Sequence, residues 1–330
     1  MRTSSSSISS SDARAARSFL ALVLLFAAAG GALAWALLLI GDPFDTGRST
    51  PFAWPGVAQT GPRLANASRT RDQRFNAAVI GNSTLQLLSP QRLKGATGLD
   101  FVQLTTPGTG PMEQAALAEH LFRLRGGGVE AVVLGLDRSW CDPLLETTTM
   151  HPFPFWLYAD SDAAYAASLF RMQSVEFLFR RIALLLDRKR AARPDGFWDY
   201  EAAGAFRHVG GRPIAPEPIA PRSPDGRRAA DGALRRILEA APRGTRLLLL
   251  HPPVFAPASA GEGAERREID ACKAALAATA ARRDATFVLD FWIDDEAART
   301  RELFYDAVHF DAAMAQRLER AIADRLAAPP

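Results

Sequence analysis

The sequence predicts an α/β fold, a doubly wound parallel five-stranded sheet with a helical or irregular insertion, preceded by one N-terminal transmembrane helix. Three observations carry that expectation. Short, continuously apolar runs alternate with segments of helical spacing, the pattern of strands covered on both faces. A single uncharged apolar run stands near the N-terminus. The chain of 330 residues, 48% hydrophobic and 23% charged, suits one sizeable domain with accessories and excludes a disordered or fibrous protein.

Taken in order, residues 1–18 form a cytoplasmic tail with a Ser-rich stretch at 4–11. Residues 19–40, FLALVLLFAAAGGALAWALLLI, carry no charge. At ~1.5 Å per residue they span roughly 33 Å, enough for a hydrocarbon core of ~30 Å. Arg2, Arg14 and Arg17 precede the run against Asp12, which puts the N-terminus in the cytoplasm and the remainder outside, in the periplasm of a bacterial inner-membrane protein. Ala32-Leu33-Ala34 resembles a signal-cleavage site, but the apolar run continues through Trp35 to Ile40, which favours a retained anchor. Residues 41–70, rich in Pro, Gly, Thr and Ser, read as a stalk, with order beginning at Phe75.

Within 71–330 the expected strands are 77–80, 101–104, 130–136, 246–250 and 286–291, with helices over 112–125, 226–241, 264–283 and 312–327. Residues 141–225 interrupt the alternation as one large insertion. It begins with a single long helix over 165–186 and continues as a Pro-rich, aromatic stretch (Phe197, Trp198, Tyr200) that caps the sheet.

Composition narrows the chemistry. Thirty-nine basic against 36 acidic residues give a net charge of +3, spread along the chain, which argues against nucleic acid as a partner. Two cysteines, Cys141 and Cys272, exclude a disulfide framework and a Cys-rich zinc site and leave a single bridge open. The five His never fall at metal-ligand spacing, and no phosphate-binding Gly-rich motif joins a strand to a helix. No cofactor and no metal are expected.

The first strand runs into Gly81-Asn82-Ser83-Thr84. A Ser on such a turn is exposed at the carboxyl edge of the sheet, with backbone N–H groups aimed at a developing oxyanion. The same turn also suits a simple helix cap. Tyr305-Asp306-Ala307-Val308-His309-Phe310 precedes the last helix, and Asp and His three apart can share a hydrogen bond that fixes the imidazole tautomer. Helix entry with a surface His is the competing reading there.

Together these blocks resemble the SGNH (GDSL-like) hydrolase superfamily, whose fold is flavodoxin-like. The resemblance implies Ser83 as nucleophile, His309 as base, Asp306 as its orienting acid, and the N–H groups of Ser83 and Gly108 as the oxyanion hole. Gly108 comes from the run Leu104 to Gln114 after the second strand, in which Gly110 is the next candidate. Two positions depart from the family pattern: Asn82 stands where Asp is usual, and Gly135-Leu136-Asp137 stands where Gly-x-Asn is expected. An ionised Asp137 cannot donate to an oxyanion, so it plays another role or marks a divergent subgroup. Asn82, Asp137, Trp140 and His251 are candidate substrate contacts at the same edge, with cap packing competing for Trp140 and a rigid loop start for His251.

The arrangement is similar to membrane-anchored DltD-like and alginate-acetylation-like members of that superfamily. That likeness implies an acyl esterase or O-acyltransferase acting on an acylated carbohydrate polymer, beside a membrane-bound O-acyltransferase. A non-catalytic anchored accessory protein that binds glycan or a partner protein is the alternative, favoured by Asp137.

Overall fold

The computed structural model describes residues 10–48, 56–206, 214, 229–259 and 263–328. Most of the tail, residues 49–55 of the expected stalk, and residues 207–213 and 215–228 of the insertion, His208 among them, lie outside the described residues.

The chain forms α1 (Ser10–Gly41), α2 (Pro62–Thr70), β1 (Ala77–Ile80), α3 (Pro90–Thr97), β2 (Phe101–Gln103), α4 (Pro111–Arg125) and β3 (Ala131–Gly135). The insertion contributes α5 (Phe155–Tyr158), α6 (Asp162–Ser168) and α7 (Met172–Leu185). Then come α8 (Asp231–Ala240), β4 (Arg246–His251), α9 (Ala256–Ser259), α10 (Gly263–Ala280), β5 (Thr286–Asp290), α11 (Glu296–Arg299) and α12 (Ala312–Ala327). All five strands are parallel, in the order β2-β1-β3-β4-β5.

Strand alternation divides the core into two layers. Ala78, Ile80, Val132, Leu134, Leu247 and Leu249 pack with residues of α4, α8 and α10 on one face. Ala77, Val79, Val133, Leu248 and Leu250 pack with Leu93 of α3 and Met314, Leu318 and Ile322 of α12 on the other. The order reverses between β1 and β3, and a doubly wound sheet opens its ligand crevice at that switch point. A Cys141–Cys272 disulfide ties the turn after β3 to α10.

Helix α1 is, by length and composition, able to cross a membrane, and its apolar window is almost wholly exposed. Its C-terminal end is not followed by a loose stalk. Helix α2 packs into the domain through Ala65 and Ala67, while Asn66 Nδ2 donates to Leu104 O and Thr106 Oγ1. Asp42 and Asp45 are buried against Arg181 of α7, whose guanidinium donates to the Gly41 and Asp42 carbonyls and to Asp45 Oδ1. Ser68 Oγ and Arg71 also donate to Asp45. Composition misled here because Asp42, Asp45, Asn66 and Ser68 are buried with partners rather than solvated. The single helix expected over 165–186 is two helices, α6 and α7. Between them Leu169 turns inward to full burial and Phe170 outward, with neither Gly nor Pro to mark the break.

Candidate active site

The reacting groups meet where the turns after β1 and β5 converge. β1 ends at Ile80, and Ser83 opens a one-turn helix over Ser83–Leu85. Asn82 caps that turn, its Oδ1 accepting from Thr84 N and Thr84 Oγ1. With the Thr84 N–H so engaged, the Ser83 N–H is the first-turn donor left to face a ligand.

Across the crevice, Phe304 and Phe310 bridge as a short antiparallel pair, and Tyr305 N donates to His309 O. This closes a tight loop that presents His309. Asp306 lies on the same loop; its Oδ1 accepts from the Val308 and His309 N–H groups, and its Oδ2 lies 2.7 Å from His309 Nδ1. His309 Nε2 lies 2.8 Å from Ser83 Oγ. Ser83, His309 and Asp306 are thus brought together as a continuous hydrogen-bonded relay. In it Nδ1–H donates to the carboxylate and Nε2 accepts from the hydroxyl.

Burial pushes the Asp306 carboxyl up, but the His309 hydrogen bond and charge, with the two backbone N–H donors, outweigh it and hold the group below the usual carboxylate range. The His309 side chain is only 16% exposed. Phe206 lies against its ring at 4.6 Å between centroids, and Tyr200 donates to Phe310 O behind it. Glu201 accepts from Tyr305 Oη and from Ala312 N at the start of α12. Sequence reasoning assigned none of Tyr200, Glu201 and Phe206 to the site. Their one signal was the aromatic clustering of the insertion.

Asn82 and Asp137 sit at the ends of β1 and β3. Asn82 Nδ2 donates to Asp137 Oδ2 at 2.5 Å and to Thr109 O at 3.3 Å, and Ser139 Oγ donates to Asp137 Oδ1. Burial pushes the Asp137 carboxyl up, opposed by those hydrogen bonds and by the charge of Arg138. The two departures from the family pattern therefore face each other: amide and carboxylate have exchanged strands and keep a hydrogen bond between them. Both oxygens of Asp137 are engaged as acceptors.

Of the remaining candidates, Gly108 stays next to the Asn82 turn, while Trp140 and His251 fall elsewhere. Gly108, with φ +61°, lies in the turn between β2 and α4, where a side chain would collide with His151 and where Arg63 holds the Pro107 and Gly108 carbonyls. It joins Asn82 through its neighbour Thr109. Trp140 cannot stack on a sugar as placed. It is 0% exposed, and its Nε1 donates to Gln114 Oε1, because the turn after β3 folds inward toward α4. His251 is buried at the end of β4 with Nδ1 against Leu136 O, and burial lowers its pKa. It braces the sheet edge rather than entering the crevice. Among the described residues, no group of three or more His, Cys, Asp or Glu is arranged to hold a metal.

The fold and side chains define an α/β protein with a Ser–His–Asp constellation at the carboxyl edge of a doubly wound sheet. No family model matches the chain, and no curated protein is similar to it in sequence. A solved structure from Streptococcus pneumonia, provisionally described as a platelet activating factor, is similar over 79% of this chain and 90% of its own, at 14% identity and a TM-score of 0.40. Likeness at that level says nothing about activity, which the side chains themselves must argue.

Proposed function

We propose that this chain is a membrane-anchored, SGNH-like serine acyl esterase or O-acyltransferase that acts on an acylated carbohydrate polymer outside the cytoplasmic membrane. The observation that carries the reading is the unbroken hydrogen-bonded path from Ser83 Oγ through the His309 ring to Asp306. A capping Ser and a surface His would have no reason to meet from positions 226 residues apart.

In this mechanism Ser83 Oγ attacks the acyl carbon while His309 Nε2 takes the hydroxyl proton. The ionised Asp306 stabilises the resulting imidazolium. The Ser83 N–H, joined by Gly108, receives the oxyanion. Collapse breaks the ester bond, and His309 returns the proton to the leaving alcohol. Water or a sugar hydroxyl then gives its proton to His309 as it attacks the acyl carbon; the bond to Ser83 Oγ breaks, and His309 returns the proton to that oxygen, regenerating Ser83.

Room for an extended substrate is offered by a cavity of about 550 Å³ lined by Gln86, Thr105, Arg69, Arg193 and Trp198, which reaches Gln86 three residues after Ser83 without including the relay itself. Trp198 is 46% exposed and offers the stacking face that Trp140 does not. Export is supported by the Cys141–Cys272 bridge, since such bonds persist in oxidising compartments. Work beside a membrane-bound O-acyltransferase rests on the resemblance alone.

The test is intact-mass analysis of the full chain after reaction with a fluorophosphonate, with Ser83→Ala and His309→Ala as controls. One adduct, lost in both variants, is expected. A folded protein that takes no label favours the accessory reading, to which Asp137 points by supplying no oxyanion donor.

A further inference from the structure

We propose that the α6–α7 hairpin is a second membrane-contacting element, its tip immersed in the outer leaflet beside α1. The proposal rests on the reading that α1 is retained and spans the bilayer, and it adds a surface to that reading.

The geometry fixes the depth. Helix α7 runs back along α1 from its outer end: Gly41 packs so closely on Leu178 that no Cβ fits there, and Arg181 holds the Gly41 carbonyl. Further in, Trp35 Nε1 donates to Ala166 O of α6 at 2.8 Å, and a Cβ on Gly31 would touch the Phe170 ring. From Gly41 to Gly31 the axial rise is about 15 Å, half of a ~30 Å hydrocarbon core. A bilayer that surrounds α1 therefore has to surround the hairpin tip as well.

The chemistry of the exposed face agrees. Phe170 is 66% and Met172 82% exposed at the tip, and Phe179, Ile182, Leu185 and Leu186 continue one apolar stripe along α7. A patch of that kind on a water-facing helix would be an interaction surface in any case. The charged residues near the tip have local partners, although Arg171 itself is exposed. Arg171 donates to Ser168 O and lies over the Trp156 ring, and Glu176 pairs with Arg180 at 2.5 Å. Arg188, Lys189 and Arg190 follow the outer end of the stripe, at the level where anionic headgroups lie. The buried Asp42–Asp45–Arg181 cluster locks α7 to α1, so the hairpin cannot swing away from the bilayer.

This occupant is lipid, and the test reads it directly. With both native cysteines bridged, one introduced cysteine gives a unique thiol on the full chain in anionic vesicles. Met172→Cys, Leu186→Cys and Leu25→Cys each carry an environment-sensitive fluorophore. Nitroxides at two depths on the acyl chain and aqueous iodide serve as quenchers. The expected result is several-fold stronger quenching by lipid than by iodide at Met172, with iodide gaining on lipid at Leu186, which lies about 12 Å beyond the level of Leu178 and Gly41. Iodide quenching at Met172 alongside lipid quenching at Leu25 overturns the hairpin proposal and leaves the anchor intact. Protection of Met172 from both quenchers overturns it in favour of a protein partner. A Leu25 label that lipid does not reach overturns the anchor reading and this one with it.

Discussion

Replacing Asn82 with Asp tests the exchanged pair at the switch point. The substitution puts a second carboxylate against Asp137 Oδ2, where the amide now donates at 2.5 Å. Two ionised carboxylates ~3 Å apart repel by about 5 kcal/mol at an effective dielectric of ~20. The pair escapes by holding one proton between its oxygens. For a carboxyl near 3.9, keeping that proton at pH 7 costs about 4 kcal/mol, and at pH 5 about 1.5. Because burial already raises the Asp137 carboxyl, the cost at pH 7 is smaller than that full value. The folded variant holds a proton that the unfolded chain releases above ~3.9, so its stability is intact at low pH and falls as pH rises toward the raised folded value. Thermal unfolding of the full chain should show a midpoint about 10 °C below wild type at pH 7, with most of the deficit gone at pH 5. Asn82→Asp/Asp137→Asn should recover most of the loss, since it restores the hydrogen bond with its polarity reversed. A single variant as stable as wild type at pH 7, or a double variant no better than the single, would refute this account.

Other expectations can be checked with the same preparations. Asp306→Asn should cut the rate of fluorophosphonate labelling by at least about 10²-fold while leaving the fold intact, because the amide no longer fixes the imidazole tautomer. Arg181→Met leaves Asp42 and Asp45 buried without their shared cation and should cost about 3–5 kcal/mol, read as a lowered unfolding midpoint. Burial already raises the Asp45 carboxyl, against the pull of Ser68, Arg181 and Arg71, so the Arg181→Met deficit should shrink as pH falls toward that raised value. Reducing the Cys141–Cys272 bridge, which links positions 131 apart, should cost up to about 5 kcal/mol on loop entropy, seen as a lower midpoint in reductant.

The sheet was legible because each strand is a continuous apolar run between Gly, Pro or polar breaks. Ala77–Ile80 and Arg246–His251 needed no long-range information to be recognised. The relay was legible as two blocks whose place at one sheet edge follows from topology. What stayed hidden was what polar residues do when buried. Asn66, Asp42 and Asp45 look like stalk residues until their partners arrive from the β2 turn and from α7, far along the chain. The inward turn of Trp140 depends likewise on Gln114, and the Asn82–Asp137 contact on strand order. In the sequence the two departures stand as separate features; the register of β1 beside β3 makes them one exchange.

That exchange also bears on where oxyanion stabilisation comes from. With Asn82 Nδ2 committed to Asp137 and Thr109, and both Asp137 oxygens accepting, neither side chain has a hydrogen bond to give a tetrahedral intermediate. In the proposed reaction the backbone would supply it, from the Ser83 N–H and the turn at Gly108. Loss of one oxyanion donor costs on the order of 10²–10³ in rate. An enzyme so built is therefore slower at acyl-enzyme formation than one with a side-chain donor. Slow chemistry is tolerable when the substrate is held in place, and here the insertion holds both ends of the arrangement. Its α6–α7 hairpin packs along α1, while its Tyr200–Phe206 segment packs behind His309. The insertion thus ties the Ser83 crevice to the C-terminal end of α1, an arrangement that would serve the polymer substrate proposed above.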